Sequence, residues 1–501
     1  MTRSFAPPAP PAPLRSDTLD LHAAQARVPR FDRRSLAPAI AHIGVGGFHR
    51  AHQGVYLDDL AALGCPDWGT VGIALRSTEV ADALARQDHL YTVLEGSNAE
   101  AHPRVVGTMR DCLAARRTPE LVLDTLTDPR TRLVTLTITG TAYHVDEGSG
   151  RFDATDPEIV ADLADPHRPA TAWGYLTEAL DRRRRSGAGP LTILSCDNMR
   201  DSGAAAHAAL CAFAWLRDPG LAEWIDANVA FPSSLVDRIT PGGGDATRAE
   251  LASCWGIDDP CAVTTEPFRQ WIIEDQFVGA RPPLDLVGAR YVPDVAPYKL
   301  VKTRMLNGGH SALGYVGTLA GHATTAAALA DPLIAGYLDE LLGAEVAPQL
   351  AAPPGIDLDE YRASLLARFS NERIADPLAR LCGRGSTKMP AYLLPSLAEA
   401  RRVGGPCSRL VLAVAAWLQY VRGHDLDGRR IEVVDARAAE LRRHAGDDYA
   451  HARHVLQMAS VSEPLAADHE LVDQIVDAGR LMRRRGAREA IAATLETGVA
   501  A

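Results

Sequence analysis

The sequence predicts an α/β N-terminal domain built on a parallel sheet, followed by a mostly α-helical C-terminal domain. Three observations carry that expectation. Short apolar runs alternate with amphipathic stretches through the first 300 residues. The first of these runs ends directly in a glycine-rich turn at 44–47. Beyond residue 300, strand-like runs become rare and long Ala/Leu/Arg-rich amphipathic stretches take over.

Residues 1–36 are rich in Pro, Ala and Arg and are expected to form a flexible N-terminal segment draped over the surface. The runs 39–43, 70–75, 133–139 and 190–195 are short enough for buried strands. Between them, 51–63 and 204–216 carry apolar positions at helical spacing. Strands separated by helices need crossover connections, hence a mostly parallel sheet. The N-terminal domain is therefore expected over 37–296 and the helical domain over 297–501, with helices within 311–345, 358–382, 389–403, 407–422 and 464–497.

A chain of 501 residues accommodates two or three domains and a sizeable core. Its formal net charge of −11 disfavours nucleic acid and anionic membranes, which repel it at long range, and leaves room for a local basic pocket. No apolar run is long enough to span a bilayer, and residues 1–13 lack the apolar segment of a secretion signal, so the cytoplasm is the expected compartment. The eight cysteines, at 65, 112, 196, 211, 254, 261, 382 and 407, are scattered without a CxxC pair. That usage reads as reduced thiols, not as a disulfide framework or a zinc knuckle.

The first strand runs into IGVGGFHRAHQ at 43–53. Strand, glycine turn and helix form the setting in which a dinucleotide fingerprint has meaning, that of a Rossmann-type domain. Gly44 permits the tight turn. Gly46 and Gly47 let backbone N–H groups approach a pyrophosphate, and the helix start carrying Phe48 and Arg50 adds unpaired donors and a positive dipole end. His49 stands at the third glycine position, and a GxG alone is read equally as a plain tight turn. His49 and His52 are spaced like a metal pair, but no carboxylate or cysteine stands nearby in sequence to complete a ligand set, and no metal is expected. Past the second strand, Glu79 in RSTE (76–79) is placed to accept from the adenosine ribose and to repel a 2′-phosphate, which favours NAD; Arg76 argues for NADP. Glu79 is also a favourable first-turn helix carboxylate.

The most informative stretch is PYKLVKTRMLNGGHSAL at 297–313. Asn307 and His310 are i, i+3 and share a helix face. Lys302 precedes Asn307 by about one and a half turns and is placed to converge on the same pocket. Alcohol oxidation needs a base for the hydroxyl proton and a donor for the developing alkoxide. A lysine serves as base when burial or neighbouring cations lower its pKa, and an asparagine donates without changing charge. Composition alone makes Lys302 a solvated helix residue; the residues around it point to chemistry.

Together with LSCDN (194–198), FPSSLVDRITP (231–241), EPFRQWIIEDQF (266–277) and DPLARLCGRGSTKMP (376–390), these stretches resemble the mannitol dehydrogenase family, the polyol-specific long-chain dehydrogenases, from residue 39 onward. The resemblance implies a Rossmann-type domain, a helical second domain, NAD as cofactor, no metal, and interconversion of a sugar alcohol and a ketose of the mannitol/fructose type. By position it implies that Lys302 is the general base, that Asn198 and Asn307 hold the reacting oxygen, and that His310 contacts a substrate hydroxyl. It places Asp237, Arg380 and Lys388 along the polyol site. It also implies a cytoplasmic monomer or weak homo-oligomer. Asn198 has separate support, because ligands of such sheets bind beyond the carboxyl ends of the strands. Other readings stand beside these: Asp237 with Arg238 as a structural ion pair, Arg380 as a helix cap, Asn198 as a cap or turn former.

Two departures from the family pattern matter. Where the family commonly reads Thr-Glu-Gly-Gly-Tyr, this chain has Thr139, Gly140, Thr141, Ala142 and Tyr143, at a strand end that should approach nicotinamide or substrate. Three residues before the lysine, Lys299 stands where members often carry glutamate. Lys299 would lower the Lys302 pKa by repulsion if close, and it favours an anionic substrate such as a hexuronate. Fructuronate and tagaturonate reductases and arabinitol dehydrogenases share the same plan, and a catalytically silent NAD-binding sensor is the reading from another functional class.

Overall fold

Five parallel strands form the centre of the N-terminal half: β1 (Pro38–Ile43), β2 (Gly69–Ala74), β3 (Met109–Ala114), β4 (Leu133–Leu136) and β5 (Thr192–Ser195), side by side in the order β3-β2-β1-β4-β5. This is the doubly wound order, and its switch point lies between β1 and β4, where the sheet reverses its direction of growth. The protein's structure, a computed structural model, describes residues 11–145, 151–443, 449–458 and 463–496 and divides into two units, Met1–Val295 and Ala296–Ala501.

Helices cover both faces of the sheet, which explains why its central strands are apolar throughout and do not alternate. Ile43, Ile73, Val134, Leu136 and Ile193 pack on one face against Trp173, Leu176 and Leu180 of α4 (Ala172–Ser186) and Leu210 and Phe213 of α5 (Ser202–Arg217). On the other face, Ile40, Leu133 and Leu194 meet Tyr56, Leu57 and Leu60 of α2 (Gln53–Ala62) and Trp271. Two helices stand at the ends of β1 and β2: α1 (Gly47–Ala51), separated from α2 by a break at His52, and α3 (Thr78–Arg86). Strand β3 has no counterpart among the apolar runs read from sequence. It lies at the sheet edge, where Arg110 and Asp111 are tolerated. Beyond this sheet, β6 (Ser234–Asp237) pairs antiparallel with β7 (Gln270–Glu274). The segment before β1 is anchored at several points. Ala12–Pro13 pairs with Ile257–Asp258, Leu14 is fully buried, and the Arg33 guanidinium donates to the carbonyls of Gly107, Asp88 and Met109.

Among the described residues the second unit has helices and no strand. Its centre is α8 (Ser408–Tyr420), buried from Arg409 to its end. Glu345 accepts the Arg409 and Leu410 amides at 2.9 and 2.8 Å, which satisfies donors that a helix start leaves open. Against α8 lie α7 (Gly308–Leu319) and α9 (His469–Arg485). A Cβ at Gly317 would come within 2.9 Å of Leu378, so this glycine permits the close approach. Among the described residues no helix is long and apolar enough to cross a membrane, and none of the eight cysteines forms a disulfide.

Candidate active site

At the carboxyl end of β1, Gly44 has φ +103°, and a Cβ there would lie 2.2 Å from the Thr137 carbonyl oxygen at the end of β4. Only glycine fits. Gly46 is exposed, with nothing nearer than 3.9 Å to a Cβ built on it, and it precedes α1 without a side-chain cap. The Gly46 amide donates to the Gly44 carbonyl at 2.7 Å, and the uncapped helix start leaves the Gly47 and Phe48 amides without intrahelical acceptors. The Arg50 guanidinium donates to the carbonyls of Gly46 and Cys261 and so braces the turn.

Histidines line the turn from within. The His42 and His49 rings stack at 3.4 Å, and His42 reaches Thr135 Oγ1 at 2.8 Å and both the Gly44 carbonyl and Thr137 Oγ1 at 3.0 Å. Burial drives the His42 pKa down to about 3 and holds His49 well below the usual range, so both rings are neutral. His52, the other half of the pair spaced like metal ligands, contacts the Gln270 carbonyl at 2.9 Å and packs among Phe48, Tyr56 and Trp271.

Glu79 sits in the first turn of α3, exposed, and accepts the Ser77 hydroxyl at 2.9 Å. Arg76 points to Glu158, 3.4 Å away, with both side chains well exposed. Asn198 follows β5 on the exposed surface of the same strand ends. Its neighbour Asp197, which the sequence reading passed over, is buried. Asp237 ends β6 and is buried; Arg238 gives its guanidinium to Glu95 at 2.6 Å and to the carbonyls of Ala51 and Glu266. The ion pair made by Arg238 thus reaches back 143 residues to Glu95, a partner that no local pattern announces.

In the second unit, the helix from α6 (Ala296–Val301) to α7 is not α-helical throughout. Lys302–Asn307 form a π-helical turn. In an α-helix five residues are about one and a half turns, which would set Lys302 and Asn307 on different faces. In a π turn the hydrogen bond runs i→i+5, so residues five apart lie little more than one turn from each other. The π turn stacks Lys302 and Asn307 on one side of the helix, and His310 follows one α-turn later with its ring stacked on Phe369 at 4.1 Å. Arg304, in the same turn, donates to Ser396 Oγ at 3.1 Å.

Arg380 is bound by Asp376, four residues earlier, through Nε at 2.6 Å and a second hydrogen bond through Nη2. Lys388 Nζ donates to the Arg380 and Leu381 carbonyls at 3.2 and 3.0 Å. Burial first and the Arg380 charge second push the Lys388 pKa down. The structure thus brings Arg380 and Lys388 together, and Lys302, Asn307 and His310 together. In the first unit it gathers the glycine turn, the residues after β4 and Asn198 along one edge of the sheet.

Over residues 38–286 the chain matches the mannitol dehydrogenase Rossmann domain, and over 294–482 the mannitol dehydrogenase C-terminal domain. It is 42% identical over 462 residues to the mannitol 2-dehydrogenase of Cereibacter sphaeroides, spanning 92% of this chain and 96% of the relative. To that of Phaeosphaeria nodorum it is 39% identical over 490 residues, spanning 96% and 86%. Among solved structures it is similar to Pseudomonas fluorescens mannitol 2-dehydrogenase in a ternary complex with NAD and D-mannitol, with TM-score 0.84, 37% identity and coverage of 97% and 100%. A D-sorbitol dehydrogenase in substrate-free form matches with TM-score 0.89 and 34% identity, covering 96% and 100%.

Proposed function

The chain belongs to the mannitol dehydrogenase family, and from that membership we propose that it interconverts a sugar alcohol and a ketose with NAD, using Lys302 as general base and no metal. The observation that supports this reading is the π turn at Lys302–Asn307, which sets these two side chains on one helix face.

The first unit fits the dinucleotide. The open space over Gly46 admits a pyrophosphate to the backbone amides. Glu79, held by Ser77, suits the two hydroxyls of an unphosphorylated ribose, and Arg76 is engaged by Glu158, which supports NAD over NADP. When bound, the dinucleotide supplies a hydride acceptor. In the oxidation direction Lys302 Nζ takes the hydroxyl proton and returns it in reduction. Asn307 donates to the oxygen as its negative charge grows; for Asn198 the family resemblance implies the same role. In the second unit His310, Arg380 and Lys388 bind further hydroxyls; for Asp237 the family resemblance implies a place along the polyol site. Lys299 stands three residues before Lys302 on the same helical stretch.

A panel of polyols and ketoses assayed with NAD and NADP by reduced-nicotinamide absorbance tests the reading. Lys302→Ala is expected to lower kcat at least about 100-fold while NAD binding, followed by protein fluorescence, changes little. Activity retained in Lys302→Ala removes the base assignment. A second reading, reduction of an anionic ketose such as a hexuronate, is favoured by Lys299 and by the adjacent cations Arg380 and Lys388. Good fructose reduction with no turnover of fructuronate or tagaturonate excludes it.

A further inference from the structure

The turn that departs from the family pattern, 138–143, stands at the topological switch point, beside Gly44 and at the carboxyl end of β4. Thr139 holds φ +71°, ψ 157° there, a region that side-chain-bearing residues avoid. Such a backbone persists only where its surroundings over-determine it, and here one side chain does most of that. Asp197 Oδ1 accepts the Thr139 amide at 2.8 Å, and Oδ2 accepts the Ile138 amide at 3.3 Å and the Tyr143 hydroxyl at 2.9 Å. Tyr143 Oη lies 2.7 Å from Ser195 Oγ, and the Trp173 indole N–H donates to the Ala142 carbonyl at 2.8 Å. Asp197 is buried and makes no ion pair among the described residues; burial raises its pKa against the pull of the Thr139 amide and the Tyr143 hydroxyl. A buried carboxylate without a cation is costly unless its hydrogen bonds are needed, and all three of its donors belong to this turn. Its own backbone leads directly into Asn198.

We propose that Asp197 is a positioning residue for hydride transfer. Its carboxylate clamps the 138–143 turn to the end of β5, so that this turn and Asn198 form one fixed rim at the switch point against which the nicotinamide end of the dinucleotide is held. The inference rests on the reading of this crevice as an NAD site. It concerns the reacting end of the cofactor, whereas the glycine turn and Glu79 serve the pyrophosphate and ribose. Loss of the clamp therefore affects turnover more than NAD affinity.

The test compares wild type with Asp197→Asn, Tyr143→Phe and the double variant Asp197→Asn/Thr139→Gly. It measures kcat and KM on the best polyol, NAD dissociation by fluorescence, and hydrogen–deuterium exchange in the 137–144 peptide. In Asp197→Asn one acceptor becomes a donor facing donors. We expect kcat to fall roughly 10- to 100-fold through lost orientation, NAD affinity to change less than about 3-fold, and exchange in the turn to accelerate. Tyr143→Phe, which removes a single donor, shows the same split with a smaller fall, and it answers the question should Asp197→Asn not fold. Glycine occupies the Thr139 conformation without strain, so the double variant recovers a substantial part of the lost kcat. A kcat within 2-fold of wild type in Asp197→Asn overturns the proposal. So does a fall in kcat matched by an equal loss of NAD affinity with no recovery in the double variant, because that pattern belongs to a merely structural residue. A wild-type protein that oxidises no polyol with NAD overturns the proposed function and with it the hydride-transfer role. The exchange data still report in that case whether Asp197 holds the turn.

Discussion

Gly44→Ala, set against Gly46→Ala, separates what the glycine turn does for the fold from what it does for the ligand. At Gly44 an alanine meets two obstacles. Its φ of +103° costs a residue with a Cβ about 1–3 kcal/mol. The methyl also lands 2.2 Å from the Thr137 carbonyl oxygen and 2.8 Å from its carbon, where more than 3 Å is normal. Neither partner is a flexible side chain. Ile43 and Leu136 are registered neighbours in the sheet, so relief requires prising β1 from β4 at its core, an overpacking cost of about 1–3 kcal/mol. The sum is about 2–6 kcal/mol, and Tm is expected to fall by roughly 5–15 °C, with NAD affinity falling alongside as the amides move. Gly46 has φ −95° and open space, so its alanine variant keeps Tm within about 2 °C and weakens NAD binding at least about 10-fold, because only the approach of the pyrophosphate is blocked. Differential scanning calorimetry and fluorescence titration decide. A Gly44→Ala protein as stable as wild type would refute the steric argument. A Gly46→Ala protein with unchanged NAD affinity would refute the placement of the pyrophosphate.

Two further outcomes follow from the same half of the chain. Burial depresses His42 and His52 to about 3 from 6.5, so between these values the unfolded chain binds protons that the folded one refuses. Stability then falls as pH drops below 6.5, by roughly 1 kcal/mol for each of the two rings down to pH 5.5; urea unfolding that is flat from pH 7 to 5 contradicts this. Leu14 is fully buried with Leu90, Leu94, Val105, Leu251 and Ile257, so Leu14→Ala should destabilise by about 2–5 kcal/mol, and a Tm unchanged in that variant would show that the N-terminal segment contributes nothing to the fold.

The sequence by itself determined the features that local physics specifies. Apolar runs too short for helices gave β1, β2, β4 and β5. A glycine where β1 must turn sharply gave the cofactor-binding reading, and helical periodicity gave the second unit. Charged Arg110 and Asp111 concealed β3, whose edge position relaxes the demand for an apolar run. The expected loose segment before residue 37 is, from 11 onward, tied down by contacts with residues 88–109 and 257–258. Composition does not register such contacts. Tertiary structure alone decided how the candidate site residues are held within each unit. Five-residue spacing in an ideal helix separates Lys302 from Asn307, and a π turn, costlier than an α turn in isolation, is a choice of the surrounding packing and not of propensity. The bonds from Asp197 to Ile138, Thr139 and Tyr143 and from Arg238 to Glu95 cross 54 to 143 residues. Periodicity and turn chemistry act over a few residues, so they place candidate side chains on their elements, while the contacts that hold those elements exist only once distant strands have met.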